Sequence, residues 1–594
     1  MRNVFIIVLI VVVVALPFVF RVEEEQTGWQ PGDPELVIIS PHNEAIRYEF
    51  GNAFSAWHKA SYGRPVRVDW RVIGGTTEIM RYLAAEYVSA FRAWWRAQQR
   101  TWPPGGDELI LDRRFNAETV PGDIHEEVEK RRRRELKRTL HEAFRATDDP
   151  DAFTCKIDLF FGGGVYDHRK AAAQGLTVAA WDEDKVPAGI FTSSTGRTII
   201  PEQLGGETWR TDTFFGAALS TFGICYNTDR IEDLGLAHAP RRWVDLTDPA
   251  YFRQVGVADP TKSGSIAKAF EMVIHEQCLR ATREAGFSEE QVDAYEASIE
   301  VAGLPLGALP VEVPVEYQEA IERGWLQGLR LIQKIGANSR YFTDSAGKVP
   351  LDVAAGNAAA GVAIDFFGRF QAEVSRGPGG TARMVYVTPV GGSSVSADPI
   401  SLLRGAENKE LALRFMTFVL SEEGQKLWNY APGTPGGPKK FALRRLPIRS
   451  DFYPAAAEFA ESKHAAHAPH CVDALGQEDV NPYALAGKFV YRPRWTSRHF
   501  NVHRDVIRAM CLDAGEELRE AWRVILSNGG PQTQPRAVAL LERMPDWPEH
   551  LSWRSALSVS RNHSRLDYMR EWTIFFRRSY REAARAVEEV NGER

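Results

Sequence analysis

Short apolar runs alternate with helix-patterned segments along the first part of the chain. The runs ELVIIS (35–40), RPVRVDWRVI (64–73) and KIDLFFGGG (156–164) predict strands, because each is a short apolar stretch bounded by turn residues. The segments between them carry apolar residues at helical spacing, and several loops after the predicted strands are rich in Gly, Ser and Thr. This alternation predicts an α/β protein with a parallel sheet, whose ligand would bind at the carboxyl ends of the strands.

Two segments depart from this alternation. Residues 91–152 join an aromatic and basic stretch, FRAWWRAQQRTW, to a loop and a charged helix. The arginines at 131–134 would suit nucleic acid or anionic lipid, but the glutamates around them allow i,i+4 pairs, which is typical of a solvated helix. We therefore interpret residues 91–152 as a surface insertion. Beyond residue 475 the pattern is mostly helical and polar, which predicts a helical C-terminal extension.

The N-terminus carries a strong hydropathy signal. Residues 4–20 form an uncharged apolar run that follows one Arg and precedes Arg21 and three Glu. This run is near the lower limit for a membrane span, typically about 20 residues. It is longer than the core of a signal peptide, roughly 7–15 residues, and no A-x-A site follows it. We expect an uncleaved signal anchor, with a cleaved signal peptide as the alternative. Both place the rest of the chain outside the cytoplasm, and an anchor would tether it to inner-membrane lipid.

Length, charge and composition narrow the function classes. The chain has 594 residues, enough for two to four compact units, and a net charge of −6, which gives no indication of nucleic-acid binding. None of its five cysteines forms a CxxC pair, which speaks against a structural zinc site. It has no GxSxG, HExxH or P-loop motif, and no nucleophile and base are arranged as in a hydrolase. The sequence therefore predicts a protein that is not an enzyme.

A series of ordered blocks gives the most specific signal. They are STFGICYNTDRIEDLGL, PRRWVDLTDPAYFRQVGVADPTKSGS, AAGNAAAGVAIDFF, DPISLLRGAENKELALRFMTFVLSEEGQKLW and GTPGGPKKFALRRLPIRSDFY. In this order they resemble the extracellular solute-binding proteins of bacterial ABC importers, in the branch that includes ferric-iron, thiamine, polyamine and phosphonate binders. The resemblance extends over about 35–85 and 153–455. The insertion and the C-terminal part depart from the family core.

The resemblance implies a two-lobed periplasmic-binding-protein type II fold, with a helical insertion in lobe 1 and a helical C-terminal extension. We expect the following boundaries: signal anchor or signal peptide, 1–24; linker, 25–34; lobe 1, 35–212, with its insertion at about 91–152; lobe 2, 213–390; the return to lobe 1 with closing helices, 391–474; C-terminal extension, 475–594.

Loops at strand ends are the candidate ligand-binding elements, because small residues and helix starts let backbone N–H groups approach a ligand. Any one of them, taken alone, is equally typical of an ordinary strand–helix turn. The candidate residues are Ser40, His42, Asn43, Glu44, Gly75, Thr76, Thr77, Gly163, Gly164, Thr261, Ser263, Gly264, Ser265 and Asp365.

The sequence leaves two classes of solute open. Iron-binding relatives carry adjacent tyrosines where this chain has Phe366-Phe367, which cannot coordinate a metal. A set of His42, Glu78 and Asp365 would still offer ligands for Fe³⁺ as a transported solute, alone or as a chelate. Alternatively, the Thr and Ser residues at 261–265, with Lys262, suit a small anionic organic compound such as a phosphonate. No cofactor is expected apart from such bound iron.

The resemblance also implies partners. An importer would supply a membrane permease and its ATPase, neither of which this chain contains. The alternative is an envelope sensor or scaffold that reuses the solute-binding fold and docks protein partners through the insertion and the C-terminal helices.

Overall fold

The computed structural model describes residues 28–112, 128–305, 307–377, 379–455 and 458–592. The predicted N-terminal membrane segment lies outside these residues. Within them, no helix is both long and apolar enough to cross a membrane.

The strands and helices are numbered here in chain order. The strands are β1 Glu35–Ile39, β2 Arg67–Arg71, β3 Leu159–Phe161, β4 Thr177–Val178, β5 Gln203–Leu204, β6 Glu207–Thr208, β7 Phe215–Ser220, β8 Phe222–Asn227, β9 Val255–Ala258, β10 Ser339–Thr343, β11 Ala360–Ile364, β12 Met384–Val387, β13 Ser396–Leu403 and β14 Leu446–Pro447. The helices are α1 Glu44–Tyr62, α2 Thr76–Ala97, α3 Gly106–Ile110, α4 Val128–Ala146, α5 Val165–Ala173, α6 Thr228–Asp233, α7 Gly264–Glu284, α8 Glu289–Ala302, α9 Val315–Ala337, α10 Lys348–Ala354, α11 Asp365–Val374, α12 Lys409–Leu420, α13 Glu422–Asn429, α14 His464–His467, α15 Pro482–Lys488, α16 Pro493–Thr496, α17 Phe500–Ile507, α18 Gly515–Ser527, α19 Pro535–Leu541, α20 Trp553–Asn562 and α21 Arg565–Gly592.

The two large sheets have the same order of strands. The first has the order β14-β7-β13-β3-β1-β2, with β1 parallel to both β2 and β3 and with β13 antiparallel to β3. The second has the order β10-β9-β11-β8-β12, with β9 parallel to β10 and β11 and with β8 antiparallel to β11. In each sheet, three parallel strands lie side by side, and the one that comes first in the chain lies between the second and the third. An antiparallel strand then pairs with the third. This arrangement, in two lobes, confirms the predicted type II fold, and β1, β2 and β3 occupy the three predicted strand segments.

Within the described ranges, the chain crosses between the lobes at three places. It passes from β7 in lobe 1 to β8 in lobe 2, and it returns between β12 and β13. A third crossing lies in the C-terminal extension, where Leu485 and Ala486 belong to the lobe 1 core and Phe489 and Tyr491 to the lobe 2 core. The extension is thus built into both lobes.

A buried cluster of charged and aromatic groups joins the lobes beside this third crossing; we call Glu207, Lys268, Glu271 and Tyr491 the interlobe joint. Lys268 Nζ of α7 lies 3.2 Å from Glu207 Oε1 of β6 and 3.0 Å from Glu271 Oε2. It also lies 3.6 Å from the centre of the Tyr491 ring, and the Tyr491 hydroxyl donates to Glu271 Oε1 at 2.6 Å. Burial acts to lower the pKa of Lys268, but the two carboxylates raise it, so the ammonium stays charged.

Backbone contacts reinforce the interlobe joint. The N–H of Tyr491 donates to the carbonyl oxygen of Gly205 at 2.8 Å. Gly206 has φ +76°, and a Cβ placed there would be only 1.9 Å from the Tyr491 carbonyl oxygen. The turn before β6 therefore approaches the C-terminal extension closely at a position that requires glycine.

The C-terminal helices complete the core of lobe 2. Residues of α18, α20 and α21, including Trp522, Trp553 and Trp572, are buried in the same apolar cluster as α7 and α9. Gln333 of α9 donates to the Tyr580 hydroxyl at 2.9 Å. Apolar burial on this scale is the main source of folding free energy, so lobe 2 depends on the extension.

Aromatic residues of the predicted insertion also pack inward. Phe91 and Trp95 at the end of α2, together with Phe144 of α4, form a third core with Ile39 and Phe160 of the lobe 1 sheet. The aromatic stretch is therefore core rather than surface, because α2 continues through it to Ala97. Residues 113–127, and the side chains of the four arginines at 131–134, lie outside the described residues.

Buried neutral histidines predict acid sensitivity. Burial lowers the pKa of His168 in lobe 1 and of His499 in the extension to about 4, from a model-peptide value of 6.5. Burial also lowers the pKa of His275 and His503 well below 6.5. The unfolded chain then binds more protons than the folded one below pH 6.5, so stability falls as the pH drops towards 4. For His168 and His499 the loss at pH 5 is about 2 kcal/mol each.

Thermal unfolding at pH 7.5 and pH 5.0 measures this effect, and we expect a lower midpoint at pH 5.0. Glu276, whose pKa burial raises to about 7, acts in the opposite direction and offsets part of the loss. In the variant His168→Gln, the unfolding midpoint should differ less between the two pH values than it does in the wild-type protein. In His563→Gln, at an exposed position, the difference should equal that of the wild-type protein. A midpoint that stays constant or rises on acidification would contradict the prediction.

Candidate functional site

Three strand-end loops of lobe 1 meet at one edge of the sheet. A Cβ on Gly162, just after β3, would be 2.6 Å from His42 Nε2 in the loop after β1. A Cβ on Gly163 would be 2.4 Å from Cγ2 of Thr76 at the start of α2. Gly162 has φ +100° and Gly163 has φ +104°, values that other residues rarely adopt. The predicted loops around His42, Thr76 and Gly163 are therefore brought together.

The helices α2 and α5 begin at this edge without a side-chain cap. Their N-cap residues are Gly75 and Gly164, which have no side chain to accept the first N–H groups. Instead, each helix has a carboxylate close to its start: Glu78 Oε2 would be 3.2 Å from a Cβ on Gly75, and Asp167 Oδ2 would be 3.8 Å from a Cβ on Gly164. Uncapped helix starts favour anions, so lobe 1 presents two such positions side by side.

The loop before α7 supplies the lobe 2 side. Ser263 is the N-cap of α7, and its hydroxyl accepts from the N–H of Ile266 at 3.3 Å. Asp259 Oδ1 accepts from both the N–H and the hydroxyl of Thr261, at 2.8 and 2.7 Å, which fixes the loop. Ser265 lies 3.1 Å from Ser263, hydroxyl to hydroxyl, and Lys262 forms an exposed ion pair with Asp344.

Two arginines of the C-terminal extension hold this loop, and the sequence analysis missed both. Arg504 donates from Nε to the carbonyl of Pro260 at 2.8 Å and from Nη2 to that of Thr261 at 2.5 Å. Arg508 Nη1 lies 2.7 Å from Asp259 Oδ2 and 3.1 Å from the Thr261 hydroxyl. The spacing of four residues in HRDVIR places both arginines on one face of a helix, which is the signal that would have found them.

Behind the lobe 1 loops lies a buried polar network. His42 Nε2–H donates to Asp398 Oδ2 at 3.0 Å, and Arg445 binds both Asp398 and Ser220. Burial alone would raise the pKa of Asp398, but the charges of Arg445 and His42 lower it well below its usual range. Burial also raises the pKa of Asp365, which Arg445 and Arg369 act to lower. His42, Asp398 and Arg445 therefore form one hydrogen-bonded network, and the charge of Arg445 also acts on Asp365.

The predicted binding residues differ in their access to a solute. Ser40, His42, Ser263 and Asp365 are buried, and Asn43 caps α1 by accepting from the N–H of Ile46. The half-buried or exposed residues are Glu44, Gly75, Thr76, Thr77, Gly163, Gly164, Thr261, Gly264 and Ser265. Their role in binding a solute remains a prediction.

The predicted metal set is not gathered into a site. His42 is engaged by Asp398, Asp365 Oδ1 accepts from the N–H of Phe366 at 2.7 Å, and Glu78 is exposed beside its own helix start. In the part of the chain that the structure describes, no three His, Cys, Asp or Glu side chains are arranged to hold a metal ion. Phe366, in the place of a relative's tyrosine, is buried in the lobe 1 core.

Part of the chain matches a known family of proteins. Residues 186–463 match the family described as bacterial extracellular solute-binding protein. A protein of Haemophilus influenzae described only as uncharacterized is 24% identical over 272 residues, which are 46% of this chain and 60% of that protein. The chain thus spans less than two thirds of this curated relative.

Solved structures with a similar fold include three binding proteins. The periplasmic binding protein AfuA from Actinobacillus pleuropneumoniae, with exogenous fructose-6-phosphate bound, is 14% identical, with a TM-score of 0.42 and coverage of 79% of this chain and 98% of that one. A ferric binding protein from Campylobacter jejuni is 13% identical, with a TM-score of 0.38 and coverage of 80% and 99%. The spermidine/putrescine substrate-binding protein PotD from Streptococcus pneumoniae is 15% identical, with a TM-score of 0.35 and coverage of 66% and 79%. Residues 186–463 of this chain therefore match the family that its sequence blocks resemble.

Proposed function

We propose that this protein is the extracytoplasmic solute-binding component of an ABC import system, and that its cleft captures a small anionic organic compound such as a phosphonate or a phosphate ester. The observation that supports this most is that α17 contacts both sides of the proposed site: Arg504 binds the loop before α7, and Phe500 packs on Tyr166 beside the uncapped start of α5. Backbone N–H groups at helix starts, together with a guanidinium, are the donors that oxyanions of this kind bind.

Iron is the less favoured solute. The predicted ligands His42, Glu78 and Asp365 are not gathered around one point, and phenylalanines stand where tyrosinate oxygens would coordinate Fe³⁺. A ferric chelate would still present carboxylate oxygens to the same helix starts, so it belongs in the binding experiment.

The proposed partners are a membrane permease and its cytoplasmic ATPase. The protein itself does no chemistry; it would contribute binding free energy coupled to a rearrangement of the lobes. An N-terminal anchor would hold it at the inner membrane, and no nucleic acid takes part. In the sensor or scaffold alternative, the C-terminal helices would dock a protein. That role is less favoured, because the apolar faces of α18, α20 and α21 are used in the lobe 2 core.

Ligand-induced thermal stabilisation tests the proposal. Full-length protein in detergent would be heated with inorganic phosphate, methylphosphonate, glycerol 3-phosphate, hexose phosphates, ferric citrate, free Fe³⁺, thiamine or spermidine. A compound present at 100 times its dissociation constant adds about 2.7 kcal/mol to the free energy of unfolding. We expect at least one phosphate or phosphonate to raise the midpoint, and thiamine and spermidine not to do so.

The other outcomes are distinct. A shift with Fe³⁺ alone, abolished by His42→Ala and by Glu78→Ala, would replace the anionic solute by iron. The absence of a shift with every compound would favour the sensor or scaffold.

A further inference from the structure

Arg504 binds the lobe 2 loop from outside the family-matched segment. Two of its three guanidinium nitrogens are used by the carbonyls of Pro260 and Thr261 in the lobe 2 loop. The third, Nη1, has no hydrogen-bond partner among the described residues. Because carbonyl oxygens hold Nε and Nη2, the guanidinium presents Nη1 as a hydrogen-bond donor in a fixed position.

The position of Arg504 is fixed relative to both lobes. The extension crosses from lobe 1 to lobe 2 between Ala486 and Phe489, eleven residues before α17 begins. The first residue of α17, Phe500, then packs against Tyr166 of lobe 1, with ring centres 5.5 Å apart. Because α17 also binds the lobe 2 loop, it spans the space between the two lobes at the end where α5 begins.

Asp167 of α5 follows Tyr166 on the lobe 1 side of this space. Burial raises the pKa of Asp167, while a hydrogen bond from Thr76 and the charges of Lys170 and Arg504 lower it. The neighbouring carboxylate, Asp505, is already bound by Arg565 and by the Tyr568 hydroxyl, which donates at 2.6 Å. Asp167, in contrast, lies beside the uncapped start of its own helix, where an incoming anion would be stabilised.

We propose that Arg504 is a specificity-determining residue that binds the anionic group of the solute directly, and that Asp167, at the start of α5, opposes the binding of that anion. This inference rests on the proposed function. It means that the C-terminal extension supplies part of the solute site, so the family-matched segment alone does not contain the whole site. The solute class is then a compound whose phosphate or phosphonate group reaches both Arg504 and the starts of α2 and α5.

Calorimetric titration of three variants tests the inference, with inorganic phosphate, methylphosphonate and glycerol 3-phosphate as probes. Arg504→Gln should weaken the probe that binds the wild-type protein by tenfold or more. Arg504→Lys keeps the charge but loses the two-point anchoring, and should recover part of the affinity. Asp167→Asn should leave the affinity equal or increase it, because it removes the competing carboxylate. Arg498→Gln, at an exposed position in the same extension, is the matched control and should change nothing.

Ionic strength separates direct contact from a structural role. For the wild-type protein, affinity should fall with added salt, and in Arg504→Gln this dependence should be weaker, because one charge contact is missing. If Arg504→Gln binds within twofold of the wild-type protein with the same salt dependence, the inference is wrong while the proposed function stands. If Asp167→Asn weakens binding as much as Arg504→Gln, Asp167 is a solute ligand and does not oppose the binding of the anion. If the wild-type protein binds none of the probes, both the inference and the proposed solute class fail.

Discussion

Replacing Lys268 by Met should destabilise the protein by about 3–5 kcal/mol, because it leaves two buried carboxylates without their counter-charge. Glu207 and Glu271 both bind this ammonium, and their side chains are only 7% and 1% exposed. An isolated buried charge costs far more than the net contribution of the paired cluster. Chemical denaturation of the wild-type protein and of Lys268→Met measures the loss.

Two further variants make this result specific. Lys262→Met, six residues earlier in the chain, removes an ammonium that is half-exposed and paired with an exposed Asp344, so it should cost no more than about 1 kcal/mol. Adding Glu207→Gln and Glu271→Gln to Lys268→Met removes the unpaired charges and should restore much of the stability. If Lys268→Met unfolds at the same denaturant concentration as Lys262→Met, the interlobe joint does not have the role described.

Replacing Gly206 by Ala should cost about 2–4 kcal/mol. Of this, about 1–2 kcal/mol comes from a side chain at positive φ, and the rest from the overlap of its Cβ with the Tyr491 carbonyl oxygen, which forces the two segments apart. The measurement is the thermal midpoint, together with the distance between spin labels placed on the two lobes.

Gly196→Ala is the matched control. Gly196 has φ +77°, nearly the same as Gly206, but a Cβ there has no atom within 4 Å. Gly196→Ala should therefore lose only the stability that a side chain at positive φ costs, and it should leave the distance between the lobes unchanged. Equal destabilisation by the two variants would mean that the contact between the turn before β6 and the extension adds nothing to stability.

The parts of this structure that depend on neighbours in sequence were predictable. The three strand segments of lobe 1 appear where the apolar runs predicted them, and Ser263, in the predicted loop at 261–265, caps α7. These features arise from local patterns of apolar and capping residues, which a sequence displays directly.

The parts that depend on distant residues were not predictable in the same way. His42 and Asp398 are 356 positions apart, so a histidine in a strand-end loop gave no sign that it would contact a buried aspartate. Arg504 binds a loop that precedes it by 243 positions, and it lies in a segment without the family's pattern. Lys268 lies among apolar residues in IAKAF, which indicates a buried charge, but its partner Glu207 cannot be identified from that pattern.

The shared core of lobe 2 also has a consequence for biogenesis. Lobe 1 acquires its last core residues near Ala486, whereas the core of lobe 2 includes residues from Phe222 to Val587. A chain synthesised and exported from its N-terminus would therefore have the β8–β12 sheet exposed until α21 has been delivered, since contacts between distant residues form late. Lobe 1 would be the first unit to become resistant to proteases. Lobe 2 would need protection by a chaperone until the final helix packs against α9.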